Sequence, residues 1–422
     1  MAHPLSFPAA CRKRHWTGAV AVIAAAGALL SACATGSTGV ESAAVDHGPA
    51  FYRYDAAVPA QPGKLLRQEP LPAAFGLASA SQEWRILYTS TDGNTGHGQL
   101  VASGAVFYPN GPAPQGGWPV IAWAHGTVGI ADRCAPSRTP RSARDARYLD
   151  AWLNQGFAVV ATDYQGLGTA GPHLYLDTRA EAYAVLDAVR AALGGMKDLS
   201  NRVVLVGQSQ GGGAAFATAA FAPDYAPDVH VLGTVATGTP YLQYILRSGK
   251  SPFKPDQPNP TLAYNLYLGH TVQALDPAVR PAQLYKARAL PLYDRAAESC
   301  VDEMEKDVVL GGLTNANTLQ PEGTKVMAHA LGARIFYPTL KLAHPLFMGT
   351  GGKDKDVPTD GQLQLAKDAC AAGTLVQQHV YESLDHSGTV NASLADSVPF
   401  VRQLLAGQAV ASTCASGPQR TP

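Results

Sequence analysis

Three short and nearly uninterrupted apolar runs, Val120-Ile121-Ala122-Trp123, Ala158-Val159-Val160-Ala161 and Val203-Val204-Leu205-Val206, constrain this chain more than any other feature. Runs of that length, apolar on both alternating faces, suit strands covered on both sides in a parallel sheet. Between the second and third, Arg179 to Leu193 places Ala182, Val185, Leu186, Val189 and Leu193 at helical spacing, a stripe able to lie on such a sheet. Gly211 to Ala220 continues the third run as a helix of small residues. Pro345 to Met348 and Thr374 to Tyr381 read as later strands, with Gln362 to Cys370 a helix between them. Alternation of this kind predicts an α/β fold in three layers, with a mostly parallel, doubly wound sheet.

The 422 residues include 46% hydrophobic and 15% charged positions, enough to bury a sizeable core. Lys plus Arg equal Asp plus Glu at 32 each, so no positive excess exists to neutralise a phosphate backbone, and nucleic-acid binding is excluded as a main role. The N-terminus reads as an export leader. Arg12, Lys13 and Arg14 precede an apolar stretch from Thr17 to Leu30, too short for a comfortable membrane span. That stretch ends in Leu30-Ser31-Ala32-Cys33, which resembles the lipobox of bacterial lipoproteins, with Cys33 the acylated anchor; an ordinary cut near Ala32 or Ala34 would export the protein as well. Loss of residues 1–32 removes those three cations and no acid, moving the formal charge from +0 to −3. Cys134, Cys300, Cys370 and Cys414 remain beyond the anchor, an even number in an oxidising compartment, and two bridges are expected. No Cys or His spacing suggests zinc.

Residues 33–72 read as a tether rich in Ala, Pro, Gly and Gln. The α/β body is expected over 73–240 and 332–415. Residues 241–331 break the alternation with short irregular segments and are too long for a loop, so they are read as a cap or lid inserted between two strands.

Gly207-Gln208-Ser209-Gln210-Gly211 is a G-x-S-x-G pentapeptide that follows the run Val203 to Val206 and precedes the helix of small residues. A nucleophile elbow requires that strand, turn and helix, with a strained serine exposed at the end of the sheet. A serine hydroxyl needs an imidazole to take its proton and a carboxylate to fix the imidazole's tautomer. Among downstream histidines, His230 begins a strand and His270 lies in the insertion, leaving His329, His344, His379 and His386. His379 sits inside a strand pattern, whereas His386 follows one in a loop, and it is the chosen base. Asp354 and Asp356 both leave the end of the strand Pro345 to Met348, and spacing does not separate them; Asp385 is read as a solvated loop charge. The oxyanion of a tetrahedral intermediate needs two N–H donors, one from Gln210 and one from the loop His125-Gly126-Thr127 after the first run.

With those residues placed, the chain resembles the secretory lipase family of α/β hydrolases, as a bacterial lipoprotein-type member. The likeness rests on Trp123 to Thr127, Cys134-Ala135-Pro136-Ser137, Thr162 to Gly168, Gly207 to Gly212, Asp354 to Pro358, and Cys370-Ala371-Ala372-Gly373 ahead of His386. It implies an α/β-hydrolase fold, a helical cap over the acyl site, disulfides Cys134–Cys300 and Cys370–Cys414, Asp354 as the acid through its distance from Pro358, and Gly126 or Thr127 as second oxyanion donor. Asp163 and Tyr164 belong to the shared signature as support for the pocket. The activity implied is hydrolysis of carboxylic esters of small molecules or lipids through an acyl-enzyme on Ser209, with no metal or organic cofactor. A serine peptidase or acyltransferase on the same scaffold, or a non-catalytic surface lipoprotein that binds a ligand, are the rival readings.

Overall fold

The computed structural model describes residues 48–422. The leader, Cys33 and the expected tether up to residue 47 lie outside the described residues. The apolar runs form neighbouring strands because their two faces meet two separate cores. Val120, Ala122, Val203 and Leu205 face one core, shared with the helices Thr178–Gly195 and Gln210–Tyr225. Ile121, Trp123, Val204 and Val206 face the other, where Trp152, Phe347 and Phe400 pack. Each large apolar side chain buried in this way contributes about 1.5–3 kcal/mol relative to exposure.

The sheet has ten strands: β1 (Leu65–Pro70), β2 (Ala80–Thr91), β3 (Gln99–Pro109), β4 (Trp118–Ala124), β5 (Ala158–Thr162), β6 (Leu199–Gln208), β7 (Val231–Thr237), β8 (Leu346–Gly351), β9 (Val376–Tyr381) and β10 (Gln419–Thr421). Their spatial order is β1-β2-β3-β5-β4-β6-β7-β8-β9-β10. The β1/β2, β2/β3 and β3/β5 contacts are antiparallel, and all others are parallel. The order reverses at β4, which lies between β5 and β6, and crevices of doubly wound sheets open at such a switch beyond the carboxyl ends of the strands. Register brings those ends level: Ala124 pairs with Gly207, Gln208 with Thr237, and Thr237 with Gly349. The loops that follow therefore converge.

Two expected boundaries are corrected. A tether reaching residue 72 does not hold, because Phe51 and Tyr52 are buried, the Tyr52 hydroxyl donates to the Ser137 carbonyl at 2.7 Å, and Leu65–Pro70 adds an edge strand. The body likewise runs past residue 415, since β10 pairs with β9. The insertion between β7 and β8 is helical, as the resemblance implies and despite its irregular sequence pattern, with helices from Leu242–Ser248 to Gly323–Leu331. Leu266, Tyr267, Val272, Leu284, Met304 and Val308 give it a core of its own. Cys134–Cys300 ties it to the loop after β4, where the Val301 amide also donates to the Val128 carbonyl at 2.9 Å; Cys370–Cys414 joins the helix before β9 to the C-terminal segment.

Candidate active site

Ser209 stands between β6 and the helix Gln210–Tyr225 with φ 58°, a left-handed conformation that costs a non-glycine residue about 1–3 kcal/mol. The flanking glycines make that bend possible. A Cβ on Gly207 would lie 1.9 Å from the Gly211 carbonyl oxygen, and one on Gly211 would lie 1.9 Å from the Ala124 carbonyl oxygen. No side chain fits at either position, so strand, helix and the end of β4 approach closely enough to present Ser209 at the crevice.

Ser209, His386 and Asp356 line one cavity of about 950 Å³ beneath the insertion, together with His125, Thr127, Arg144 and Tyr264. His386 is buried at the start of the helix His386–Ala392 rather than in a loop. Asp385 is exposed, as expected of a solvated charge, and it also caps that helix by accepting the Gly388 amide at 2.8 Å. His386 Nδ1 lies 2.7 Å from Asp354 Oδ2. The other donors to Asp354 are the amides of Asp356 and Val357 on Oδ1 and Gln362 Nε2 on Oδ2, at 2.9–3.0 Å. Four donors converge on one carboxylate, which suits a fixed negative charge that orients a ring. Asp356 makes no comparable contact with the ring; burial raises its carboxyl above the usual range, with the negative charge of Asp354 adding to that rise.

No hydrogen bond joins Ser209 to His386 among the described residues. His386 Nε2 instead faces Gln208 Nε2 at 2.9 Å, and Gln208 Oε1 accepts from Arg144 Nη2 at 3.0 Å. Sequence reasoning missed both residues: Gln208 occupies a variable position of the pentapeptide, and Arg144 belongs to a helix, Ala143–Asn154, that carries no motif.

The loop after β4 runs beside the elbow, with a Cβ on Gly126 placed 3.6 Å from Ser209 Cβ. Asp163 and Tyr164 hold that loop. Tyr164, at φ 72°, donates from its hydroxyl to the His125 carbonyl at 2.9 Å and packs against the His125 ring at 4.4 Å between centroids. Buried Asp163 accepts from the hydroxyls of Ser103 and Ser137 and from the Ser137 amide. Thr127 is engaged through its hydroxyl with Tyr175 at 2.7 Å. Gln210 begins the elbow helix, and its side chain donates to Glu181 Oε1 at 2.7 Å. His379 is buried in β9 against Phe347, with Nδ1 3.5 Å from Asp396.

Burial lifts the Glu181 carboxyl from an ordinary 4.5 to about 8. Folding then favours its neutral form, so this group's stabilising contribution is complete below about pH 4.5 and is lost as pH rises through about 8, on the order of 3 kcal/mol by pH 7. Glu181→Gln keeps the neutral shape. Its denaturant midpoint is expected to stay level from pH 5 to 8 while that of the wild type falls, and parallel curves would refute the assignment.

Asp354, Asp356 and His386 each bring one potential ligand atom within 4.8 Å of the others. The Asp354 oxygens and the ring Nδ1 are already occupied with one another and with amides, so only Asp356 has a free ligand to offer a cation.

Residues 134–242 match the secretory lipase family. Lipase A of Moesziomyces aphidis is 26% identical over 196 residues, which are 42% of this chain and 39% of that protein. The chain thus spans about two fifths of the length of that curated relative. Among solved structures, Candida antarctica lipase A superposes with a TM-score of 0.68 at 19% identity, over 86% of each chain. The rice cell wall degrading esterase LipA of Xanthomonas oryzae gives 0.61 at 21% identity, over 82% of this chain and 99% of that one. The architecture is the α/β-hydrolase fold.

Proposed function

We propose that this chain is a serine carboxylic ester hydrolase. The observation that carries the reading is the strained Ser209 at the end of β6, opening on the same cavity as a histidine whose Nδ1 meets Asp354. Ser209 attacks the ester carbonyl while His386 takes its proton, and the amides of Gln210 and Gly126, or Thr127, receive the developing oxyanion. The alkoxide leaves with the proton returned by His386. Water, deprotonated by the same ring, then releases the acid. The family match and the names of the relatives, a lipase and an esterase, support the reaction class.

The walls of the cavity argue for short and polar esters. Arg144, Arg147, Asp302, Glu305 and Asp356 all line it. A long alkyl chain laid beside them would desolvate charges without an equivalent gain in apolar burial. Across p-nitrophenyl esters, kcat/KM is expected to fall at least about tenfold from butyrate to palmitate, a difference of about 1.4 kcal/mol. A maximum at palmitate would overturn the short-ester preference, and turnover of none of the series would overturn the hydrolase reading.

We infer also that the protein is exported and held at a membrane through acylated Cys33. The leader pattern supports this, as do the two disulfides, which persist in oxidising compartments. Cys33→Ser should shift the protein from the membrane fraction to the soluble one; unchanged partitioning would rule out the anchor.

A further inference from the structure

The polar chain around His386 fixes its own direction. Arg144 can only donate. Its Nη2 therefore donates to the Gln208 carbonyl oxygen at 3.0 Å, which turns the Gln208 NH2 group toward His386 Nε2 at 2.9 Å. On the other side of the ring, Asp354 Oδ2 accepts a hydrogen bond from Nδ1–H. Nε2 is consequently the unprotonated nitrogen, and its one lone pair accepts from Gln208.

That lone pair cannot serve two donors. We propose that Gln208, braced by Arg144, is a positioning residue that caps the basic nitrogen of His386 in the substrate-free protein and must release it before Ser209 can be deprotonated. The proposal rests on the reading of Ser209 and His386 as nucleophile and base. Two features place the amide in the path of the reaction. Gln208 directly precedes Ser209 and is buried, and its Oε1 lies 2.6 Å from where a Cβ on Gly126 would stand. The side chain thus fills the ground between the oxyanion loop and the imidazole, where an ester carbonyl has to sit. Arg144 also reaches Ser387 Oγ at 3.2 Å and Asp145 at 2.8 Å, contacts that hold its guanidinium at the cavity wall when the amide turns away.

Two measurements test this, on the wild type and on Gln208→Ala, Gln208→Glu and Arg144→Met. The first is the second-order rate of labelling by a fluorophosphonate ester between pH 5.5 and 8.5. Gln208→Ala should label about three- to tenfold faster, the scale of one net hydrogen bond, and Arg144→Met should change in the same direction. Gln208→Glu should move the acid limb of labelling up by about one pH unit, because a carboxylate beside Nε2 favours the imidazolium. A merely structural role would slow every variant and leave that limb in place. The second is the 15N resonance of His386 Nε2, assigned by comparison with His386→Gln, which should shift when Gln208 becomes alanine. Folded Gln208→Ala and Arg144→Met that label no faster than wild type, or an unmoved Nε2 resonance, would overturn the cap. A shifted resonance in a protein that fluorophosphonate never labels would support the cap while sinking the nucleophile reading.

Discussion

Ser209→Ala is expected to lower kcat for p-nitrophenyl acetate by about 10⁶, leaving only the slow hydrolysis that binding and oxyanion contacts support. The loss should be confined to chemistry. The structural hydrogen bonds of Ser209 are made by its main chain: its amide donates to the Thr237 carbonyl at 2.9 Å, and its carbonyl accepts from the Gly213 amide at 3.0 Å. Alanine keeps both. It also keeps the Cβ that the φ of 58° already accommodates. Melting temperature should therefore stay within a few degrees of wild type, since a half-buried hydroxyl that opens on the cavity and has no structural partner is worth less than about 0.5 kcal/mol. KM should change little, because the hydroxyl is spent on the transition state rather than on ground-state binding. A folded variant that retained more than about a tenth of wild-type kcat would remove the nucleophile from Ser209, and the acyl-enzyme with it.

The strands around Ser209 were legible because parallel strands buried on both faces read as continuous apolar runs, as Val203 to Val206 does. The elbow was legible because Gly207 and Gly211 have no room for side chains, and that constraint reaches the sequence directly. Other parts left no such mark. Residues 48–72 are rich in proline and alanine with little periodicity, and they join the body through Phe51, Tyr52 and an edge strand, a few contacts that composition does not reveal. The insertion looked irregular because its helices are short and bury most of their faces against one another, which blurs the amphipathic period. Asp354 and Asp356 could not be separated by spacing, since both leave β8 two residues apart; what distinguishes them is which carboxylate faces the ring. Gln208 and Arg144 were invisible for a related reason. Their placement against His386 depends on sequence separations of 178 and 242 residues, and neither is required by the backbone geometry of the elbow.

Asp354→Asn should lower kcat by about 10⁴, the loss expected when a catalytic imidazole is held in the wrong tautomer. The asparagine would keep a carbonyl on the Oδ1 side, where the Asp356 and Val357 amides both donate. Its NH2 group then replaces Oδ2 and faces His386 Nδ1, which can meet it only as an acceptor. The ring proton moves to Nε2, and the nitrogen directed at the cavity can no longer take a proton from Ser209. The same NH2 group confronts the Gln362 amide donor, so a stability loss of about 1–3 kcal/mol should accompany the change. Asp356→Asn provides the internal control. It retains the shape of a cavity-lining side chain, removes a charge that burial already disfavours, and leaves the bond between Asp354 and His386 intact. Its effect on kcat should remain within about tenfold, the scale of a partly screened charge near the ring. The comparison is decided by kcat together with the 15N signature of the His386 tautomer. If Asp356→Asn brought the large loss and the tautomer change while Asp354→Asn did not, the orienting acid would be Asp356, and the four donors gathered on Asp354 would serve the loop after β8 rather than the imidazole.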